Sequence, residues 1–352
     1  MRKVLTVVGA RPQFIKAAPV SKAMRGASVA EVLVHTGQHY DDAMSDRFFR
    51  ELGLASPDHH LAVGSGTHGG QTGAMLAGLE PIVARERPDW VLVYGDTNST
   101  LAGALVAAKL HVPVAHVEAG LRSFNRRMPE EVNRVVADHL SDLLFAPTET
   151  AVQNLDAEGI RGGKVALVGD VMYDAALLAG GLDDGTFLTE RFGLAPGAFC
   201  LATVHRAENT DDPARLAAIL GGLQKVAETM PVLLPCHPRT RPLIGDPGKV
   251  VVADPLGYAE TAAAIRACAV VATDSGGLQK EAYFHGRPCV TLRDETEWVE
   301  LVELGWNRVV PPVDAAGVCA AVLAAVGTAG REGKPYGGGD AAQRIAARIA
   351  AP

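Results

Sequence analysis

Acid–base residues recur in this chain directly after short apolar runs. Asp96 follows Trp90-Val91-Leu92-Val93-Tyr94-Gly95, and Glu118 lies two residues past His116, behind Val112-Pro113-Val114-Ala115. His205-Arg206 closes Cys200-Leu201-Ala202-Thr203-Val204. Glu130 stands beside Glu131 in Met128-Pro129-Glu130-Glu131-Val132-Asn133-Arg134. Carboxylates and an imidazole gathered at one place suit a reaction that removes a proton and returns it. Each has a plainer use. Asp96 could cap the helix opened by Thr97-Asn98-Ser99-Thr100, and Glu130 and Glu131 could answer the dipole at the start of a helix. His205 could be structural. The helix-dipole role is favoured for Glu131, the acid–base role for Glu118 and Glu130.

A second group is suited to anions. Ala269-Val270-Val271-Ala272 runs into Thr273-Asp274-Ser275-Gly276-Gly277-Leu278-Gln279-Lys280-Glu281. A strand turning on two glycines into a helix presents free N–H groups and the positive end of the helix dipole to a phosphate. Ser275, Gly276 and Gly277 are placed for that, and Glu281 lies a turn or so further in, where it could accept ribose hydroxyl protons. At the amino end, Gly9-Ala10-Arg11-Pro12 follows Val4-Leu5-Thr6-Val7-Val8. Pro12 suits the first helical position, so Arg11 just before the helix and Lys16 inside it could aim two cations at a phosphate. Three glycines in Gly-x-Gly-x-x-Gly spacing and a P-loop are both absent, so no dinucleotide or other cofactor is signalled. His237 and Arg239 are weaker candidates. His59, His60 and His68 lack metal-ligand spacing and are expected in a loop, so no metal is expected.

These motifs need elements to position them. Short apolar runs alternate with Ala/Leu-rich amphipathic segments throughout, the pattern of βα units and parallel sheets. Strands are predicted at 4–8, 31–35, 90–94, 112–116, 143–146 and 165–168, then at 199–204, 232–236, 250–253, 269–272, 288–292 and 308–311. Six and six over 352 residues suggest an α/β chain of two doubly wound, Rossmann-like domains. The boundary is expected near residue 170, giving 1–169 and 170–340. A glycine-rich break, Tyr336-Gly337-Gly338-Gly339, precedes a final helix near 341–350. The polar motifs fall at the carboxyl ends of the strands, where open α/β sheets bind ligands. Two such edges facing each other would form a crevice.

The net charge of −7 leaves no footprint for nucleic acid. The five cysteines, Cys200, Cys236, Cys268, Cys289 and Cys319, form no Cys-x-x-Cys pair and suit a reducing compartment. No apolar run is long enough for a signal peptide or a membrane span. The expectation is a cytoplasmic protein with no membrane partner.

Taken together, Gly9-Ala10-Arg11-Pro12…Lys16, Tyr94-Gly95-Asp96-Thr97, His116-Val117-Glu118-Ala119-Gly120-Leu121-Arg122, Pro129-Glu130-Glu131…Asn133-Arg134, His205-Arg206 and Asp274-Ser275-Gly276-Gly277…Gln279…Glu281 resemble the non-hydrolysing UDP-N-acetylglucosamine 2-epimerase family. They run in family order over nearly the whole chain. The resemblance implies the glycosyltransferase-B architecture, two Rossmann-like domains around a cleft, a final helix (341–352) returning to the first domain, and a homodimer. It implies a UDP-sugar substrate and epimerisation at carbon 2 by elimination and re-addition of UDP through a 2-acetamidoglucal, which needs no redox cofactor. Asp96, Glu118, Glu130 and His205 would be the catalytic set, with Asp96 as base and Glu118 or Glu130 managing the return proton. Arg11, Lys16, Arg206, Ser275, Gly276 and Gly277 would hold the sugar diphosphate, and Glu281 the ribose. A glycosyltransferase, a hydrolysing epimerase and a catalytically idle UDP-sugar binder are the competing readings.

Departures from the family pattern are informative. Arg293-Asp294-Glu295-Thr296-Glu297-Trp298 places Trp298 where many members have an arginine. Gln38-His39-Tyr40-Asp41 differs from the segment that several members use to bind a second, activating substrate molecule. Both variants are similar to the branch acting on UDP-2,3-diacetamido-2,3-dideoxyglucuronate, which makes that uronate the alternative substrate.

Overall fold

The computed structural model describes residues 1–38, 53–236 and 240–351. His39, Tyr40 and Asp41, and likewise His237 and Arg239, lie outside the described residues. The chain divides into two compact units, Met1–Ala175 with Lys334–Pro352, and Ala176–Gly333.

In the first unit seven parallel strands are ordered β3-β2-β1-β4-β5-β6-β7. They are β1 (Lys3–Val8), β2 (Ala30–His35), β3 (His59–His60), β4 (Trp90–Tyr94), β5 (Val114–Val117), β6 (Leu143–Ala146) and β7 (Val165–Leu167). Their apolar runs are continuous because helices cover both faces. Alternate side chains enter opposite cores, as the strand period of two requires. Val4, Val8, Leu92 and Tyr94 join one cluster, while Leu5, Val7, Val91 and Val93 join the other.

The second unit repeats the plan with β8 (Cys200–Thr203), β9 (Val232–Pro235), β10 (Val251–Ala253), β11 (Val270–Thr273), β12 (Cys289–Thr291) and β13 (Asn307–Val309), ordered β10-β9-β8-β11-β12-β13. Cys200, Ala202, Val270 and Ala272 face one core, and Leu201 and Val271 the other. Both sheets reverse direction of winding between two central strands, at β1/β4 and at β8/β11, which is where such sheets bind ligands. The α/β fold class, with its two doubly wound sheets, is the one expected from the sequence.

The last helix, Ala341–Ala350, belongs to the first unit. Ile345 and Ile349 are fully buried in the cluster that holds Val4, Phe14 and Val20. Asp174 accepts the Ala341 and Ala342 N–H groups at 3.2 and 2.9 Å, satisfying donors that a helix start leaves open.

One sequence expectation is corrected. His59, His60 and His68 are not loop residues. His59 and His60 form the edge strand β3, paired with Val34 and His35, and His68 opens the helix His68–Glu86. The His60 ring packs 4.5 Å from that of His35, and His59 Nε2 lies 3.1 Å from Glu86 Oε1. Among the described residues no helix is long and apolar enough to cross a membrane, and no group of three or more His, Cys, Asp or Glu is placed to hold a metal ion.

Candidate functional site

In the first unit the site is built on the ends of β1, β4 and β5. The buried Gln13 side chain fixes the first corner. Its Oε1 accepts the Gly9 and Ala10 N–H groups at 2.8 and 3.2 Å, and its Nε2 donates to the Tyr94 carbonyl at 2.9 Å. The helix starts at Arg11, one residue earlier than expected, with Pro12 in its first turn. Arg11 is exposed, whereas Lys16, a turn further in, is largely buried. Lys16 turns its ammonium onto Glu118, with which it forms an ion pair. Burial alone would lower the pKa of this ammonium. The adjoining Glu118 carboxylate, helped by Asp96 and Asp170, raises it above 10.5 instead, so Lys16 is charged.

Glu118 itself is held in an uncommon backbone conformation, φ +72°, which costs a non-glycine residue on the order of 1 kcal/mol. Its N–H donates to the Phe145 carbonyl at 3.1 Å, so the end of β6 fixes the turn. Gly95, at φ +61°, makes the matching turn at the end of β4. That backbone conformation favours glycine, and a Cβ there would crowd the ion pair, standing 3.3 Å from Lys16 Nζ and 3.5 Å from Glu118 Oε2.

Asp96 is not a helix cap. That role belongs to Thr97, whose Oγ1 accepts the Thr100 N–H. The Asp96 side chain, about a third exposed, is paired with Arg134, and its carbonyl accepts from Asn133 Nδ2 at 2.9 Å. Glu130 and Glu131 separate cleanly. Glu131 is buried and clamps the preceding loop, accepting from Ser123 N and Oγ, both at 2.9 Å, and from Phe124 N at 2.8 Å. Burial would push its carboxyl up; these bonds and Arg134 bring it below its ordinary value. Glu130, one residue earlier on the helix Pro129–Leu140, faces solvent. Asp96, Glu118 and Lys16 thus form one cluster, with Arg134 on its rim, while Glu130 stands free of the loop clamp.

In the second unit the register that sets Thr203 beside Thr273 brings the ends of β8 and β11 together. Asp274, fully buried, joins them. Its carboxylate accepts the His205 and Arg206 N–H groups, each at 3.0 Å, and Asn209 Nδ2 at 3.1 Å. His205 Nδ1 lies 3.5 Å from the same carboxylate, and the His205 side chain remains partly exposed. Sequence reasoning placed Asp274 in the motif without a role. Its signal was its position on the last residue before the corner.

The helix Gly276–Phe284 is preceded by Ser275 at its N-cap, whose side chain makes no capping bond. Gly276 takes no side chain without displacing Glu297, whose Oε1 lies 2.3 Å from where its Cβ would be, with an Arg206 guanidinium nitrogen at 3.5 Å. Arg293 Nη1 donates to that Glu297 carboxylate at 2.8 Å and Arg293 Nε to Glu208 at 2.9 Å. Glu281 is buried in the same helix. Trp298 donates from its indole nitrogen to the Gly276 carbonyl at 2.8 Å, and the Lys280 ammonium lies 4.3 Å from its ring centroid, a favourable cation–π placement. The tryptophan that departs from the family pattern therefore braces the glycine corner. Chemically, one edge offers carboxylates beside cations, and the other a helix start flanked by arginines and a histidine.

A sequence profile of the family described as UDP-N-acetylglucosamine 2-epimerase matches residues 22–350. The UDP-2,3-diacetamido-2,3-dideoxy-D-glucuronate 2-epimerase of Pseudomonas aeruginosa is 51% identical, the match covering 99% of each chain. The UDP-N-acetylglucosamine 2-epimerase of Methanocaldococcus jannaschii is 42% identical over 88% of each. A crystal structure of that M. jannaschii enzyme in complex with UDP-GlcNAc and UDP superimposes with a TM-score of 0.81, at 40% identity and 99% coverage of both chains.

Proposed function

Since the chain belongs to the UDP-N-acetylglucosamine 2-epimerase family, we propose that it interconverts the carbon-2 epimers of a UDP-linked 2-acetamido sugar. Our first reading of the substrate is UDP-N-acetylglucosamine, giving UDP-N-acetylmannosamine. The uronate UDP-2,3-diacetamido-2,3-dideoxyglucuronate is the second reading, favoured by the end-to-end 51% match to an enzyme named for it.

The C2–H bond has no neighbouring carbonyl to acidify it. Removing its proton is feasible when the bond's electrons form C1=C2 as the C1–O bond breaks and UDP departs. Asp96 takes that proton. UDP then re-adds its oxygen to carbon 1 while Glu118 or Glu130 delivers a proton to the opposite face of carbon 2. His205 and Arg206 stabilise the departing diphosphate against the N–H groups of Ser275, Gly276 and Gly277. Arg11 and Lys16 add positive charge, and Glu281 receives the ribose hydroxyls. In each turnover Asp96 gives its proton up to solvent and the donating carboxylate takes one from solvent before delivering it, so electrons and protons balance over the cycle with no redox cofactor. We take the enzyme to act as a homodimer in the cytoplasm; its five free cysteines suit a reducing compartment.

The observation that carries this reading is the packing of Asp96 and Glu118 around one buried cation, Lys16, on the binding edge of a nucleotide-type sheet. A UDP-sugar binder has no need of it. Positional isotope exchange tests the reading. With 18O in the C1–O–P bridge, elimination frees a β-phosphate that can rotate, so label should scramble into non-bridging positions of recovered substrate. Epimer formation without scrambling and with the substrate's own proton kept at carbon 2 would exclude elimination, and a requirement for an acceptor would turn the reading into a glycosyltransferase.

A further inference from the structure

His116 is a buried titratable group that the proposed chemistry does not use. It is the third residue of β5, and its side chain has no exposure to solvent. Nδ1 lies 2.7 Å from Asp138 Oδ1, and Nε2 lies 2.7 Å from the Gly95 carbonyl oxygen. A carbonyl oxygen only accepts, so Nε2 carries a proton. Asp138 is saturated with donors on its other oxygen, which accepts the Gly120 N–H at 3.0 Å and Arg122 Nη1 at 2.7 Å. A carboxylate there puts the second proton on Nδ1. Arg122 is held in turn by Glu158, at 2.7 Å from both Nε and Nη2, and Glu158 also faces His139 at 3.4 Å. Beyond the Gly95 turn stand Asp96 with Arg134 and Glu118 with Lys16.

We propose that His116 is a positioning residue whose ring donates from both nitrogens, clamped between Asp138 and the Gly95 carbonyl so that the turn presenting Asp96 cannot shift. The bonded carbonyl belongs to the residue immediately before Asp96, and the histidine sits two residues before Glu118. One ring therefore joins the backbones that carry both carboxylates. A neutral ring would turn a lone pair toward either the carbonyl or the carboxylate, and one of the two bonds would become a repulsion. This assignment rests on the epimerase reading for its effect on catalysis, but the charge of the ring does not.

The test uses the full-length protein labelled with 15N-histidine, the His116 resonances being identified by their loss in His116→Gln. Both ring nitrogens should carry protons under the conditions of the activity assay; a neutral tautomer there overturns the proposal. Kinetics supply the second arm. His116→Gln keeps a donor for Gly95 and should lower kcat about 10-fold, while His116→Phe should lower it about 100-fold, the scale of a misplaced catalytic group. KM should stay within about two-fold in both. Asp138→Asn removes the anion that holds the second proton, so one His116 ring nitrogen should appear unprotonated in its 15N spectrum and kcat should fall about 10-fold. A wild-type kcat in His116→Phe, or a wild-type His116 spectrum in folded Asp138→Asn, also overturns the proposal. A wild-type protein that epimerises nothing would refute the proposed function, while the NMR result would still decide the state of the ring.

Discussion

Replacing Glu118 by glutamine strips the Lys16 ammonium of its nearest anion. The side chains of Lys16 and Glu118 are only 13% and 12% exposed, so neither can turn to water for compensation. Removing one partner of a buried pair typically costs about 3–5 kcal/mol. Asp96 and Asp170 also act on Lys16 and soften the loss, which places Glu118→Gln at about 2 kcal/mol. Lys16→Met strands the Glu118 carboxylate and should cost about 3 kcal/mol. The double variant should cost less than either sum implies, with a coupling of roughly 2–3 kcal/mol. The assay is urea denaturation without ligand, followed by hydrogen exchange of amides in the first unit. Its pH dependence provides a second check. The folded-state pKa of Lys16 is raised above 10.5, so the wild type holds this stabilisation below pH 10.5 and loses it as pH climbs through the raised value. In Glu118→Gln burial dominates and the folded-state pKa falls, so stability should instead fall as pH drops through the new value. Additive single and double variants, within about 0.5 kcal/mol, would refute the buried pair.

Three further expectations concern single residues. Asp274→Ala leaves the His205 and Arg206 N–H groups without their acceptor; kcat/KM should fall about 100-fold, with weaker UDP binding by calorimetry. Trp298→Phe keeps an aromatic ring beneath Lys280 but loses the bond to the Gly276 carbonyl. A loss of about 1 kcal/mol should raise KM about five-fold and spare kcat. Glu131 has a folded-state pKa below 4.5, so its contribution is intact above that value and lost as pH falls through the lower one; Glu131→Gln should flatten the acid limb of the unfolding curve and leave the neutral-pH fold in place.

Much of the fold was legible because buried parallel strands write themselves as short β-branched runs, and all twelve predicted strands are present within a residue or two at their ends. β3 escaped because two residues, His59 and His60, carry no periodicity; their strand character comes from pairing with Val34 and His35. The strand-end motifs were visible because polar residues cluster after apolar runs. What they do to one another was not. Lys16 and Glu118 are 102 positions apart, and only the β1–β4–β5 order brings them together. Sequence gave Glu130 and Glu131 the same first-turn setting, while the loop at Ser123–Phe124 distinguishes them. Trp298 was visible as a departure, but its bond to Gly276 depends on how the segment after β12 folds back over the helix start.

In the proposed reaction carbon 2 loses its proton and regains one from solvent while the nucleotide departs and returns. Incubation with UDP-N-acetylglucosamine in deuterium oxide, followed by NMR at carbon 2, tests it most directly, with the diacetamido uronate as the parallel substrate. Deuterium is expected at carbon 2 of an intact UDP-linked 2-epimer of at least one of them, abolished in Asp96→Asn. Release of free sugar, or an epimer that keeps its original proton, would contradict it.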